Sequence, residues 1–430
     1  REIETISREE LTQLQLERLQ TTINRALDKV SFYRQRFLDL DLEPGDVTSL
    51  DDLKELPFTT KDDLLEYTPY GLLAVPLKDI VRFHTSAGAF GRPCIAGYTR
   101  RDLAAWRELM ARVMAAAGVT DQDIVQVAFA YGLHTGGAAF EMGAEPLGAS
   151  VIPVSLDPVP VQINIMRDFR TTVLACTPSL ALQISEALED PARNSPAIDP
   201  KSLDLRLGLF GAEPWSEAVR RRLEGAFFIK AFDVYGLAEV IGPGVAGECP
   251  EKSGLHLAED HFLPEIINPA TGEVLPPGRE GELVLTTLTR EAQPLIRYRT
   301  GDLTHLEYDP CPCGRTHARL ARMWRRTDDR IVFRGLSLLP QEVGRMIASF
   351  EKLRPEFEII VGRSEVPDWI QVKVKVQAEA MPQDEAAKLS LADEISRALR
   401  EATGVDFRVN LLPPGSLADD DYLPGRVTWK

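Results

Sequence analysis

The sequence predicts an α/β fold: a large layered α/β domain followed by a small α+β domain. Between residues 124 and 210, short β-branched runs alternate with segments of helical periodicity, the signature of layered α/β structure. Past residue 282 the pattern becomes strand-like, and the C-terminal part carries a strand, strand, helix, strand series of its own. A boundary near Asp328-Asp329 gives domains at 1–328 and 329–430.

Residues 8–40 read as helical, because Leu11, Leu14, Leu16, Leu19, Ile23 and Leu27 recur near a 3.6-residue period among polar neighbours. Residues 101–117 are Ala-rich and amphipathic, with Gly118 as the stop. Strands are expected at 124–129, 150–153, 172–175 and 205–210, with helices between them. A further strand is expected at 282–287, and 296–302 closes that region with a turn. In the small domain, strands are expected at 357–361 and 370–376, the second alternating Ile370, Val372, Val374 and Val376 with polar residues. A helix at 384–402 and a strand at 406–412 complete it.

Composition narrows the partners. With 49 Lys and Arg against 65 Asp and Glu, the 430-residue chain carries a formal charge of −16, which disfavours nucleic acid and anionic lipid. An anionic ligand must therefore meet a local basic patch, and Arg220-Arg221-Arg222 and Arg322, Arg325 and Arg326 are the densest such clusters. No apolar run approaches the ~20 residues of a membrane span, so the cytoplasm is the expected compartment. Five cysteines argue against a disulfide framework and leave metal binding or free thiols.

The stretch Phe83-His84-Thr85-Ser86-Ala87-Gly88-Ala89-Phe90-Gly91-Arg92-Pro93 has the glycines of a phosphate-cradling loop. Gly88 and Gly91 would let backbone N–H groups approach the oxygens. Of the hydroxyls such a loop uses, Ser86 stands alone in register, and Arg92 takes the place of a lysine's compact charge.

Several further segments resemble the adenylate-forming superfamily, in particular its phenylacetate-CoA ligase branch, over nearly the whole chain. They are Leu56-Pro57-Phe58-Thr59-Thr60-Lys61-Asp62-Asp63-Leu64, Tyr131-Gly132-Leu133-His134-Thr135-Gly136-Gly137, and Gly211-Ala212-Glu213-Pro214-Trp215. Val234-Tyr235-Gly236-Leu237-Ala238-Glu239, Tyr298-Arg299-Thr300-Gly301-Asp302 and Arg326-Thr327-Asp328-Asp329 complete the set. The resemblance implies that Gly211, Ala212, Glu213 and Pro214 border adenine, that Tyr235 stacks near it, and that Glu239 helps hold Mg²⁺. It implies a ribose-binding role for Asp302 and a nucleotide-reaching role for Arg326, next to a hinge about which the C-terminal domain swings between two half-reactions.

Beside Arg325, which stands where the family tends to have Gly, two departures from the family pattern fall on the adenylation half-reaction. The loop lacks most of its hydroxyls, and each lost charge-assisted hydrogen bond to phosphate removes roughly 1.5–3 kcal/mol. At the far end, alignment on Arg426-Val427 puts Leu423 where the family has a catalytic lysine, whose ammonium would stabilise charge developing between carboxylate and α-phosphate.

Cys249 and His256, with Cys311 and Cys313 some sixty residues on, offer thiolates and an imidazole in two clusters. Zinc suits four N/S ligands, and Gly314 eases the bend after Cys-Pro-Cys. These four are expected to hold a structural zinc, with His317 in reserve. Phe129, Tyr131, Gly136 and Phe140 read as the lining of a pocket for a flat aromatic acyl group. His134 is the candidate base or hydrogen-bond partner there, with Glu239 as the second catalytic candidate. Cys94 and Cys176 read as buried structural thiols.

The expectation drawn from the two departures is an enzyme that moves an aromatic acyl group from CoA to a phosphopantetheine carrier protein without ATP. Its substrate would be an aromatic acyl-CoA thioester and its partner an acyl carrier protein, with a homodimer suggested by the family. The alternatives are an ATP- and Mg²⁺-dependent, AMP-forming aryl-acid CoA ligase, and a non-catalytic scaffold of the same fold.

Overall fold

Near-continuous apolar runs, Val125 to Ala128, Val173 to Cys176 and Leu207 to Phe210, can lie only in a sheet covered on both faces, and they form its centre. The structure is a computed structural model that describes residues 2–86, 94–190, 198–323, 325–327, 330–333, 336–363, 367–382, 384–413 and 426–429.

In chain order the first unit holds α1 (Arg8–Lys29), α2 (Ser31–Asp39), α3 (Lys61–Glu66), β1 (Arg82–Thr85), β2 (Ile95–Tyr98), α4 (Arg100–Ala117), β3 (Ile124–Ala128), α5 (Gly136–Ala144), β4 (Ser150–Ile152) and α6 (Val159–Asp168). There follow β5 (Val173–Cys176), α7 (Pro178–Glu189), β6 (Leu207–Gly211), α8 (Glu217–Phe227, in this unit from Arg220 on), β7 (Lys230–Leu237), β8 (Gly242–Glu248), β9 (Leu255–Leu257) and β10 (Phe262–Ile267). It ends with β11 (Gly281–Thr287), β12 (Tyr298–Thr304), β13 (Leu306–Glu307), β14 (Arg319–Leu320) and β15 (Arg325–Arg326).

Among the described residues the main sheet has nine strands in the order β13-β14-β9-β8-β7-β6-β5-β3-β4. From β4 to β7 the strands run parallel, and from β7 to β13 each neighbour is antiparallel. A second, antiparallel sheet has the order β10-β11-β12-β15.

The expected single helical region at 8–40 is divided at Val30, whose extended backbone ends α1 and starts α2. The turn expected at 296–302 is the start of β12 instead, with Gly301 at φ 77° inside the strand. Helix α4 ends at Gly118, whose left-handed φ of 99° only glycine adopts freely. Its apolar face buries Trp106, Met110 and Met114, and the Trp106 indole donates to the Pro243 carbonyl at 2.8 Å. Gln126 is fully buried in β3, where its amide donates to the Gln162 side chain at 2.7 Å and accepts from Thr171 at 3.0 Å.

The second unit takes residues 328–430 together with Glu213–Val219. Its elements are β16 (Ile331–Phe333), β17 (Leu336–Leu338), α9 (Pro340–Ala348), β18 (Leu353–Arg363), β19 (Pro367–Val376), α10 (Glu385–Thr403), β20 (Arg408–Leu412) and β21 (Arg426–Trp429). The sheet order is β20-β19-β18-β21. Ile359, Val361, Ile370, Val372, Val374 and Val376 turn one face of it into a core with Ile395 and Leu399 of α10. No helix among the described residues is long and apolar enough to cross a membrane.

Arg297, just ahead of β12, joins segments far apart in sequence. Its guanidinium donates to Glu265 of β10 at 2.8 and 2.9 Å, and to the carbonyls of Lys54 and Leu56 at 2.6 and 2.7 Å. It also lies 4.0 Å from the Phe58 ring centroid. Its own backbone sits at φ 46°, a left-handed conformation held by these contacts. Both members of the Arg297–Glu265 pair are buried, and burial pushes the Glu265 carboxyl up, against the pull of Arg297. Removing one partner of such a pair leaves a buried charge alone, so Arg297→Ala is expected to lower unfolding free energy by about 3–5 kcal/mol in a denaturant titration. A loss within about 0.5 kcal/mol, the range of an ordinary surface change, would refute the role given to Arg297.

Candidate active site and metal cluster

Asp302 lies in β12 and is paired in register with Arg326 of β15. Tyr235, in β7, donates its phenol to Asp302 Oδ2 at 2.7 Å. Arg326 donates to Asp302 Oδ1 through Nη1 and to the Thr300 carbonyl through Nη2 at 2.8 Å. Burial, reinforced by the Asp302 charge, holds the Tyr235 phenol well above its usual range, so it remains a donor. Three residues predicted separately for the nucleotide thus share one hydrogen-bonded group. An oriented carboxylate of this kind, with several acceptor positions, suits a diol.

Glu239 follows β7 in a turn and is buried. Its partner is a residue given no role from sequence. Lys61, the first residue of α3, places its Nζ against Glu239 Oε1 and donates to Ser86 Oγ at 2.9 Å. The segment before Lys61 is fixed by Thr59, which exchanges backbone hydrogen bonds with Arg297 and Arg299 at 3.0 and 2.9 Å. Thr60 caps the helix in a capping box with Asp63. A cation in the first turn opposes the helix dipole, so Lys61 gains nothing locally from its position; this mismatch was the available signal for a role. The Cys94 thiol lies within electrostatic reach of Lys61 and Glu239, and burial pushes it up, which keeps it neutral.

Gly211 ends β6 where an added Cβ would stand 2.2 Å from the Val234 carbonyl oxygen, so only glycine lets β6 and β7 close there. Ala212 follows at φ 67°, a left-handed position that strains a residue with a Cβ. Glu213 and Pro214 fall in the segment assigned to the second unit. Phe129 and Phe140 stack on each other, with centroids 5.0 Å apart and planes at 6°, and both are buried. Tyr131 lies over the start of α5, where a Cβ on Gly137 would come within 2.7 Å of its ring and one on Gly136 within 3.1 Å of Phe129. His134 is half-buried in the turn before α5. Gly88, Gly91 and Arg92 of the loop, and Leu423, lie outside the described residues.

Cys249 follows β8, His256 lies in β9, and Cys311 and Cys313 occupy the connection from β13 to β14. Pairing of β8 with β9, and of β9 with β14, gathers them. Their ligand atoms all lie within 4.8 Å of one another, with Cys249 Sγ 3.7 Å from Cys311 Sγ and Cys313 Sγ 3.3 Å from His256 Nε2. Tetrahedral zinc with bonds of about 2.3 Å to sulfur requires sulfurs roughly 3.8 Å apart, so the donor set fits that ion. Burial pushes the Cys249 thiol up to about 12 and the His256 imidazole down to about 4, leaving the histidine neutral, as a ligand must be. Burial also acts to raise Cys313, but the Arg315 backbone and guanidinium outweigh it and favour the thiolate. His317 stands apart from the set, its ring nitrogens each 3.1 Å from a carbonyl oxygen, of Leu257 and of Ile3.

Two arginines of the basic clusters are taken up inside the fold. Arg220 is buried and bidentate to Glu248 at 2.8 and 2.9 Å, and Arg322 pairs with Asp233 at 3.2 Å. Consecutive arginines on a helix point to different sides, and here one of them faces inward.

Residues 14–288 match the AMP-binding enzyme family, and residues 335–428 match the AMP-binding enzyme C-terminal domain. The chain is 40% identical to the phenylacetate-coenzyme A ligase of Thermus thermophilus over 427 residues, 96% of this chain and 95% of that protein. It is 42% identical to the enzyme of that name from Pseudomonas putida over 416 residues, 96% of this chain and 93% of that one. The Escherichia coli enzyme of that name is 39% identical over 426 residues, 99% of this chain and 96% of that one. Among solved structures, a 2-hydroxyisobutyryl-CoA ligase in complex with 2-HIB-AMP and CoA superposes with a TM-score of 0.91 at 27% identity, covering 100% of this chain and 91% of that one. These findings overturn the expectation of ATP-free transfer to a carrier protein: the relatives are named as CoA ligases, and the structural neighbour holds an acyl-AMP together with CoA. The physical reason is that the loop's missing hydroxyls and the leucine at 423 were taken together as the measure of ATP use, whereas Lys61 brings a compact charge to Ser86 from another segment. The chain belongs to the AMP-binding enzymes, in the phenylacetate-CoA ligase-like branch of the adenylate-forming superfamily, and has the fold of an acyl-CoA ligase.

Proposed function

We propose that this enzyme is an ATP- and Mg²⁺-dependent, AMP-forming ligase that joins an aromatic acid of the phenylacetate type to CoA. The observation that carries the reading is the contact of Lys61 with both Ser86 and Glu239, because it puts a lysine ammonium on the Ser86 hydroxyl and on the carboxylate read as the metal ligand. In the first half-reaction the acid's carboxylate oxygen attacks the α-phosphorus of ATP, and pyrophosphate leaves with the bonding electrons. In the second, the CoA sulfur attacks the acyl carbon, AMP departs and the thiol proton is released.

Asp302, held by Tyr235 and Arg326, takes the ribose hydroxyls; Gly211 and Ala212 border the base. Glu239 and Ser86 are hard oxygen donors of the kind Mg²⁺ prefers, and bound there the ion would shield charge on the phosphates. Tyr131 and His134 line the acyl pocket, backed by the Phe129–Phe140 stack, and that apolar wall favours an aryl group. Leu423 supplies no ammonium to the first half-reaction, so adenylation rather than thioester formation is expected to limit turnover. Cys249, His256, Cys311 and Cys313 would hold a structural zinc, since four protein ligands leave no open position for substrate.

With ATP, Mg²⁺, CoA and phenylacetate, mass spectrometry is expected to find AMP and phenylacetyl-CoA in equal amounts, and neither when ATP is omitted. Absence of AMP across phenylacetate, benzoate and their ring-substituted forms would defeat the ligase reading. Elemental analysis is expected to give about one zinc per chain, and close to none in Cys311→Ser. Metal-free protein with unchanged thermal stability would remove the zinc assignment.

A further inference from the structure

Glu239 is buried, with its side chain 6% exposed, and the cation against it is not fixed by backbone structure but carried at the end of a lysine side chain that is 24% exposed. Lys61 therefore sits at the carboxylate to which the ligase reading assigns the metal. An ammonium and a divalent cation cannot share one carboxylate oxygen in a partly desolvated site without strong repulsion. Ser86 gives Lys61 a second partner at 2.9 Å, so the ammonium can leave the carboxylate without leaving the site. The neighbouring Cys94 thiol, kept neutral by burial, offers no competing anion.

The geometry points to Lys61 as a placeholder cation that blocks Glu239 to free divalent metal until a nucleotide arrives. This rests on the ligase reading for the identity of the metal, and goes beyond it by giving Lys61 control over the order of metal entry. Metal alone must displace the ammonium from Glu239 onto Ser86, a neutral hydroxyl that does not offset its charge. Metal entering with a nucleotide brings phosphate oxygens that can take the ammonium, so the exchange becomes favourable. Nucleotide and metal affinities are then coupled through Lys61, and the coupling is reciprocal.

Titration of the 430-residue chain with Mn²⁺, followed by electron paramagnetic resonance of the free ion and without nucleotide, tests this directly. Lys61→Met is expected to bind Mn²⁺ at least about tenfold more tightly than wild type, since a repelling charge is gone. Lys61→Arg, which keeps the charge, is expected to bind as weakly as wild type. Adding Glu239→Gln to Lys61→Met should abolish the gain. With α,β-methylene-ATP present, the enhancement of Mn²⁺ binding by nucleotide should be larger in wild type than in Lys61→Met by the same factor. Equal or weaker Mn²⁺ binding in the Met variant, or a gain that survives Glu239→Gln, would overturn the proposal. Circular dichroism checks that the variants fold, and Lys61→Gln carries the same expectation should the Met variant not. The ligase reading fails separately, through absence of AMP in the ATP assay, whereas the titration without nucleotide does not depend on turnover.

Discussion

Glu239, Asp302 and Glu265 lie largely out of bulk water, and each is met by a charged or hydroxyl group from a segment remote in sequence. A buried carboxylate tolerates nothing less, because the cost of removing its charge from water must be offset by close partners. That requirement ties the first unit together. Arg297 holds the segment carrying Phe58 to β10, Thr59 then pairs with the start of β12, and two residues later Lys61 reaches Glu239. The same β12 presents Asp302 to Tyr235 and Arg326. The backbone that secures the N-terminal segment thus also aims the side chains of the site.

Much of this was legible in the sequence, for reasons that differ by element. The strands of the parallel sheet show as β-branched runs because both of their faces are buried, and α4 shows as a period with a glycine stop because its first half has one buried and one exposed face. Strand β12 was harder to read. Gly301 and the left-handed Arg297 look like turn chemistry, and only the buried Glu265 and the carbonyls of Lys54 and Leu56 explain why the chain continues as a strand.

The site was legible where its chemistry is compact in sequence and obscure where it is assembled from several segments. Cysteine and histidine at close spacing announce a metal cluster, and β-pairing closes the remaining distance. Lys61 was visible in the segment Leu56 to Leu64 yet received no function, because its partners are 25 and 178 residues away. Missing that lysine left Ser86 without a charged partner, so the loss of hydroxyls, together with Leu423, became an argument against ATP. Arg220 failed in the opposite sense, since a run of three arginines conceals that one is spent on Glu248.

An enzyme whose sequence lacks most of the loop hydroxyls and has Leu423 where the family has a lysine is nonetheless expected to activate a carboxylic acid with ATP. Exchange of radiolabelled pyrophosphate into ATP isolates that step, because it needs the acid but not CoA. Exchange is expected to depend on an aromatic acid and to proceed without CoA. Its absence from enzyme shown to be folded and to bind ATP would contradict the account.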